Sequence, residues 1–179
     1  MQAQDILHFW FDELTDKQHF VKDAVLDQTI GTRFGATLDA AARCELFAWR
    51  ATADGRLAEI LLLDQFSRNV YRDTPQAFAQ DALALALAQE LVASGQNQQL
   101  SLAQRRFAYM PYMHSESSLI HAQAVLLFSQ PGLEDGLNFE LRHKAIIDRF
   151  GRFPHRNAVL GRASSAEETA CLNQPGSSF

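Results

Sequence analysis

Apolar side chains recur along the chain at the three- and four-residue spacing of amphipathic helices, and no segment shows the alternating pattern of a strand. Start and stop signals divide the chain into about nine or ten short helices. The predicted helices cover residues 5–14, 15–30, 36–51, 56–72, 75–93, 101–110, 117–129, 135–150 and 165–172. Short helices joined by short loops predict antiparallel helical hairpins that stack on one another.

Local signals set the ends of several of these helices. A capping box, in which a hydroxyl and a side-chain amide or carboxylate satisfy the free N–H groups of a helix start, occurs three times. The three boxes pair Thr15 with Gln18, Ser101 with Gln104, and Ser165 with Glu168. Gly31 and Gly35 predict an interruption after residue 30, and Pro111 predicts the end of the helix that Ser101 begins.

The composition favours a helical fold. Alanine and leucine together number 49, whereas the β-branched valine and isoleucine that sheets favour number 12. A chain of 179 residues suits one compact domain. We therefore predict an all-α protein with one domain over residues 1–172 and a frayed tail over 173–179. Residues 77–86 are loosely similar to a helix of a tetratricopeptide repeat, although no repeat of about 34 residues is present.

Charge is distributed unevenly along the chain. The formal net charge of −5 argues against a broad nucleic-acid surface. Residues 142–162 carry six basic side chains and one acid, a net +5, so the remainder carries −10. Such a basic segment suggests an anion site or an internal ion-pair partner. The 13 arginines outnumber the three lysines, which suits planar contacts to carboxylate or phosphate, although a GC-rich genome also favours arginine codons.

The sequence also indicates a compartment. No apolar run approaches the roughly 18–20 residues that span a bilayer, and the first residues lack the regions of a signal peptide. Cys44 and Cys171 belong to no metal-ligand or disulfide pattern, so we expect reduced thiols. We predict a cytoplasmic protein that has no cofactor. We also predict that it binds neither nucleic acid nor a membrane. The sequence leaves its oligomeric state open.

The first candidate site lies in residues 61–72. At 100° per residue, Asp64, Arg68 and Arg72 form one stripe of a helix, with Gln65 and Asn69 beside it. The same stripe is apolar one and two turns earlier, which suggests that these polar side chains line a cleft rather than point to open water. A partly buried carboxylate and guanidinium must be paired. The alternative is a structural ion pair that ties two helices together.

The second candidate site lies around His114 and Glu116, with His121 on the following helix. A histidine beside a carboxylate suggests general acid–base chemistry. A metal site is incomplete, because no Cys pair and no His-Glu-x-x-His accompanies the histidines, so we predict no metal. The alternative is a helix start capped by Ser115 and Glu116, with histidines whose hydrogen bonds are satisfied within the fold.

The third candidate site is the corner formed by residues 150–157. A glycine, a proline and two phenylalanines predict a rigid turn from which Arg152, His155, Arg156 and Asn157 project. His155 has an ordinary pKa near 6.5, so it is a candidate acid or base. The alternative is again structural, with arginines that cap helix ends and pair with the acidic part of the chain.

The three candidate sites together resemble an uncharacterised bacterial family that is classed as a domain of unknown function and has relatives in some eukaryotes. The resemblance covers nearly the whole chain, and it implies an all-helical, tetratricopeptide-like fold and no established activity. Its motifs are Ile6-Leu7-x-Phe9-Trp10-Phe11, Asp27-x-x-Ile30-x-x-Arg33-Phe34, Leu63-Asp64-Gln65-Phe66-x-Arg68-Asn69, Tyr109-x-Pro111 with His114-Ser115-Glu116, Phe150-Gly151-Arg152-Phe153-Pro154-His155-Arg156-Asn157, and the close Leu160-Gly161-Arg162 with Glu167-Glu168.

Three functions remain open from the sequence. In the first, the three sites form one cleft that binds a small anionic ligand or an acidic peptide end. Its candidate ligand-binding residues are Asp64, Gln65, Arg68, Asn69, Arg72, Arg152, Arg156 and Asn157. In the second, the protein is an enzyme in which His114 or His155 is the general acid or base and Glu116 is its partner. In the third, all these groups only tie helices together in a scaffold.

Overall fold

The computed structural model describes residues 1–174, which contain helices and turns and no β-strand within that range. The all-α prediction is confirmed. The α-helices are α1 (Ala3–His8), α2 (Ala24–Ala42), α3 (Ala53–Leu61), α4 (Ser67–Val70), α5 (Asp81–Ala93), α6 (Leu102–Met113), α7 (Ser118–Phe128), α8 (Glu134–Phe150) and α9 (Ala166–Leu172). Most of the tail predicted over 173–179 lies outside the described residues.

An aromatic cluster forms the centre of the core. Phe9 and Trp10 lie on a π-helical turn, Phe9–Glu13, that continues α1. Their rings pack against the fully buried Phe66, with ring centroids 5.9 Å apart for Phe9 and 5.4 Å for Trp10, and Phe34 of α2 completes the cluster. The opening apolar motif therefore anchors α1 to both α2 and the segment that carries Asp64.

Helix α2 differs from the prediction at both ends. The hydrogen bond from the Thr15 N–H to Gln18 Oε1 is present at 2.9 Å, but only a turn follows it, and the helix begins at Ala24 with Asp23 as its cap. The helix then continues through Gly31 and Gly35, so the predicted interruption is wrong. Its buried face outweighs the cost of about 1 kcal/mol that each glycine adds. That face consists of Leu26, Ile30, Phe34, Leu38 and Ala41.

The segment predicted as one helix over 56–72 is helical from Ala53 to Val70. It consists of α3, a π-helical turn over Leu62–Phe66, and α4, and Thr52 caps its start by accepting a hydrogen bond from the Gly55 N–H. A Cβ on Gly55 would lie 2.0 Å from the Trp49 carbonyl oxygen, so only glycine fits there. The π turn carries Asp64 and Gln65, and such turns are frequent at functional sites.

Helix α6 begins with the predicted capping box of Ser101 and Gln104. The predicted end before Pro111 is wrong, because the helix continues to Met113 with the proline inside it. The proline lacks an N–H, so one helical hydrogen bond is missing there. Tyr112 and Met113 are buried, and this packing keeps the last turn helical. The extra turn brings His114 to the C-terminal end of α6.

The C-terminal helices follow their predicted spans. Helices α7 and α8 lie within two residues of the predictions 117–129 and 135–150, and α9 begins with the predicted box of Ser165 and Glu168. Consecutive helices from α5 to α8 pack against each other, and buried His121 and Glu140 join α7 to α8 at 2.7 Å. The tetratricopeptide-like arrangement stays a prediction. In the described part of the chain, no helix is long and apolar enough to cross a membrane.

Candidate functional site

A cleft of about 580 Å³ lies where the three candidate sites come together. Its walls are residues within 19–22, 65–78, 106–114, 136–143 and 155–159. Seven of the predicted site residues line it: Gln65, Arg68, Asn69, Arg72, His114, His155 and Arg156. The stretches that contain Asp64, His114 and His155, which are far apart in the sequence, therefore meet at one cleft.

Asp64 lies directly behind the wall of the cleft, and its side chain is only 1% exposed. Its Oδ1 atom is 2.7 Å from His114 Nδ1 and 3.0 Å from the guanidinium of Arg68, one helical turn away. Its Oδ2 atom accepts a hydrogen bond of 2.6 Å from the Gln65 amide. A buried carboxylate thus organises three side chains that face the cleft, as the carboxylate–guanidinium stripe in the sequence predicts.

Burial raises the pKa of Asp64, but the charges of Arg68 and His114 and the hydrogen bonds from His114 and Gln65 outweigh it and hold the pKa below its ordinary value. Burial also lowers the pKa of His114, although Asp64 opposes this shift. The state at neutral pH is therefore an ionised aspartate and a neutral histidine. With its Nδ1–H donated to Asp64, His114 keeps Nε2 as a proton acceptor.

A second carboxylate, Asp81 at the start of α5, joins two arginines. Arg68 donates to its Oδ2 atom at 3.0 Å and Arg156 donates to the same atom at 3.2 Å. Arg156 also donates to the His114 carbonyl oxygen, and its guanidinium lies 4.7 Å from the centre of the Phe78 ring. Burial and the charge of Arg68 lower the pKa of Arg156 to about 10. The buried Nε atom of Arg156 has no hydrogen-bond partner among the described residues.

The outer part of the 61–72 stretch is held by Asp27 of α2. Arg72 donates to both Asp27 oxygens, at 2.6 and 2.8 Å, and the Asn69 amide donates to one of them at 2.7 Å. Burial alone would raise the pKa of Asp27, but the hydrogen bonds from Arg72 and Asn69 outweigh the effect of burial and lower the pKa. Arg72 and Asn69 therefore line the cleft in fixed positions, with the charge of Arg72 already paired.

Three further histidines line the cleft together with His114, namely His19, His143 and His155. Burial and the neighbouring Arg156 lower the pKa of His155 to about 4. Burial lowers the pKa of His143, on α8, to about 3. The ring of His143 lies 6.4 Å from that of His114. Burial lowers the pKa of His19 as well. All four histidines are therefore neutral at pH 7, and His155 has a pKa too low for an efficient base at that pH.

Glu116 is not the partner of His114, so this one of the two predicted pairings, with His114 or with His155, is wrong. The Glu116 carboxylate accepts hydrogen bonds of 2.6 and 2.9 Å from Arg162 and one of 2.7 Å from the Phe153 N–H. Burial alone would raise the pKa of Glu116, but these contacts outweigh the effect of burial and hold the pKa below its ordinary value. Its role is to close the corner at residues 153–162. The carboxylate that binds His114 is Asp64, 50 residues earlier in the chain.

Two other predicted site residues are also engaged outside the cleft. Arg152 donates to both oxygens of Glu168, at 2.7 and 2.9 Å, and so fixes α9 to the corner. Asn157 is buried between Ser164, to which it donates, and Arg162, from which it accepts. Arg152 and Asn157 therefore have the structural role that was the alternative for this corner, because their side chains hold the fold together outside the cleft.

Several residues that line the cleft were not predicted. Arg106, Arg142, Phe20 and Phe139 lie on its walls, and Asp81 lies behind them. Only Arg142 had a signal in the sequence, because it begins the segment of net charge +5. The others stand on separate elements and form no local pattern. Among residues 1–174, no group of three or more side chains is placed to hold a metal ion.

Comparisons with known proteins agree with this fold. The family model described as a bacterial protein of unknown function (DUF924) matches residues 6–176. The solved structure of a protein of unknown function from Agrobacterium tumefaciens is 39% identical, covers 96% of both chains and superposes with a TM-score of 0.91. No curated protein matches the chain. The chain belongs to the bacterial DUF924 family of proteins of unknown function.

Proposed function

We propose that the protein binds a small anionic ligand in this cleft. The observation that carries the proposal is the charge of the lining. Six cationic side chains line the cleft, whereas Asp73 is the one carboxylate among its lining residues. The six are Lys22, Arg68, Arg72, Arg106, Arg142 and Arg156.

Four of these cations are already compensated by carboxylates. Asp73 pairs with Lys22 at 2.8 Å, and Asp27 pairs with Arg72. Two further carboxylates, Asp64 and Asp81, balance two arginines, Arg68 and Arg156. The lining histidines are neutral at pH 7, so they add no charge.

Arg106 and Arg142 are the surplus. Within the described chain, neither guanidinium has a carboxylate oxygen within 4.0 Å. Of the six lining cations, Arg106 and Arg142 are therefore the two that form no ion pair within the described chain, and Arg106 also faces the neighbouring pocket that Asp12 and Asp16 line. Positive charge in a cleft with low-dielectric walls concentrates anions there. An anion that enters gains charge-assisted hydrogen bonds from these guanidinium groups. The buried Arg156, whose Nε atom has no partner within the described chain, is a further donor beside them.

Arg142→Gln tests the proposal, with inorganic phosphate, sulfate and succinate as probes in a thermal-shift experiment. We expect a probe to raise the melting temperature of the wild-type chain, and the variant to bind it about tenfold more weakly because one charge-assisted contact is lost. Arg142 is a cleaner position than Arg106, because Arg106 shares a smaller neighbouring pocket with Asp12 and Asp16.

Arg149→Gln is the matched control. Arg149 lies on the same helix, is exposed, and stacks on Phe150 with its guanidinium 4.7 Å from the ring centre. The substitution removes the same charge outside the cleft, so binding should be unchanged. Equal weakening by both substitutions would mean that only the net charge matters, and it would overturn the proposed site. A probe shift that neither Arg142→Gln nor Arg156→Gln reduces would place binding elsewhere.

A second function, proton transfer by an enzyme, is favoured by one observation. His114 Nδ1 lies 2.7 Å from the ionised Asp64, which fixes the ring, and His114 lines the cleft, so its Nε2 atom is the candidate base. Asp64 takes the place that the sequence assigned to Glu116. The test is hydrolysis of a panel of phosphate and carboxylate esters by the wild-type chain and by His114→Gln. A rate that His114→Gln leaves unchanged would contradict this role.

A third function, a scaffold without a ligand, predicts that substitutions in the cleft change stability and nothing else. We also propose that the protein acts in the cytoplasm, and the free thiols of Cys44 and Cys171 support this.

A further inference from the structure

The cleft has an apolar wall as well as a positive one. Phe20 and Phe139 are large apolar side chains that remain 54% and 44% exposed, and Val21 beside Phe20 is 47% exposed. All three line the cleft, together with Phe78 and Val159. Exposed aromatic side chains grouped at a concave site usually mark a surface that is covered when a partner binds.

The aromatic rings lie next to the guanidinium groups. The Arg106 guanidinium is 4.9 Å from the centre of the Phe20 ring, and that of Arg142 is 5.7 Å from the centre of the Phe139 ring. The two arginines that hold the surplus charge are thus the ones that contact the two exposed rings. A ligand group that reaches either charge lies against an exposed phenylalanine.

We propose that the natural ligand is a small dianion that also carries an aromatic or other apolar group. This inference rests on the proposed function and names the class of ligand. The surplus of two positive charges matches a charge of −2, such as that of a phosphate monoester above its second pKa near 6 or of a dicarboxylate. A volume of about 580 Å³ is that of a small-molecule site. The phenylalanines then cover the apolar part of the ligand.

Isothermal titration of the full chain at pH 7.5 tests the class with four probes. Methyl phosphate and phenyl phosphate differ in the apolar group, and benzenesulfonate keeps the ring but has one charge. Phenylsuccinate presents two carboxylates. We expect phenyl phosphate to bind at least about tenfold more tightly than methyl phosphate, because part of the ring leaves water. Benzenesulfonate should bind more weakly than phenyl phosphate.

Phe139→Ser tests whether the Phe139 ring causes the tighter binding of phenyl phosphate than of methyl phosphate. The substitution should remove most of the difference between the affinities for phenyl phosphate and methyl phosphate. Phe47→Ser is the control, because Phe47 is also an exposed phenylalanine but lies outside the cleft. Phe139 is 44% exposed and Phe47 is 70% exposed, so neither substitution should unfold the protein.

The outcomes separate this inference from the proposed function. If the wild-type chain binds methyl and phenyl phosphate with equal affinity, the inference that the ligand carries an apolar group is wrong. If it binds benzenesulfonate and phenyl phosphate with equal affinity, the inference that the ligand is a dianion is wrong. In both cases binding that depends on Arg142 leaves the proposed function standing. If no probe binds in a way that depends on Arg142, the proposed function itself is wrong. Tighter binding of phenylsuccinate or of phenyl phosphate supports the class and identifies the anionic group.

Discussion

Asp64→Asn removes the charge at the centre of the cleft wall and keeps the shape of the side chain. Asp64 is 1% exposed and its partner Arg68 is 20% exposed, so this ion pair lies in a low-dielectric environment. After the substitution, Asp81 alone faces the charges of both Arg68 and Arg156. Removing one partner of a buried pair costs about 3–5 kcal/mol. We expect a loss near 3 kcal/mol, because Arg68 retains Asp81 and some contact with water.

Urea denaturation of the wild-type chain and of Asp64→Asn measures the free energy of unfolding. Glu45→Gln is the control, because Glu45 and its partner Arg43 are 53% and 60% exposed, and an ion pair this exposed to water contributes little to stability. If Asp64→Asn costs no more than Glu45→Gln, Asp64 is not a buried charge that organises the cleft. The buried ionised carboxylate that fixes the His114 tautomer would then be absent as well.

Three further predictions concern other parts of the molecule. Burial lowers the pKa of His143 and His155 in the folded chain, so between pH 6.5 and pH 5 these two histidines take up protons in the unfolded chain but not in the folded one. The free energy of unfolding should therefore fall by about 3 kcal/mol over this pH range. A free energy of unfolding that urea denaturation finds to be the same at both pH values would contradict the burial of these rings. Gly136→Ala places a Cβ 2.7 Å from the buried Phe128 ring and should destabilise the chain by about 1–3 kcal/mol. Gly35→Ala is its control, because a Cβ there meets no atom within 4 Å, and it should stabilise the chain by about 0.5–1 kcal/mol. If Gly136→Ala melted at a higher temperature than Gly35→Ala, α7 and α8 would not be closely packed. Arg152→Ala should lower the melting temperature by releasing Glu168 and leave phosphate affinity unchanged, and weaker phosphate binding would return Arg152 to the site.

The sequence predicted the features of the fold that local chemistry determines. The capping boxes at Ser101 and Ser165 start helices, because each joins a hydroxyl to backbone N–H groups within one turn. The interruptions expected at Gly31 and Pro111 are absent, because burial along α2 and at the end of α6 outweighs the weak local preference of one residue. Propensity thus located the helices better than it located their ends.

The candidate site was predictable where its residues share one helix. Asp64 and Arg68 are one turn apart, so helical geometry alone placed them together. The partner of Glu116 is Arg162, 46 residues later, and no spacing rule distinguishes this pair from a pair with His114. Arg106 and Phe139 stand on different helices and reach the cleft only through tertiary packing. These long-range contacts required the structure.

The central claim is that the surplus charge of Arg106 and Arg142 and the exposed ring of Phe139 form one ligand site. A crystal structure with 4-bromophenyl phosphate tests it most directly, because the anomalous signal of bromine locates the apolar end of the probe. We predict that the bromine lies against Phe139 or Phe20 and that the phosphate lies within hydrogen-bond distance of Arg142 or Arg106. A bound probe outside the cleft, or an empty cleft at a saturating concentration of the probe, would contradict the claim.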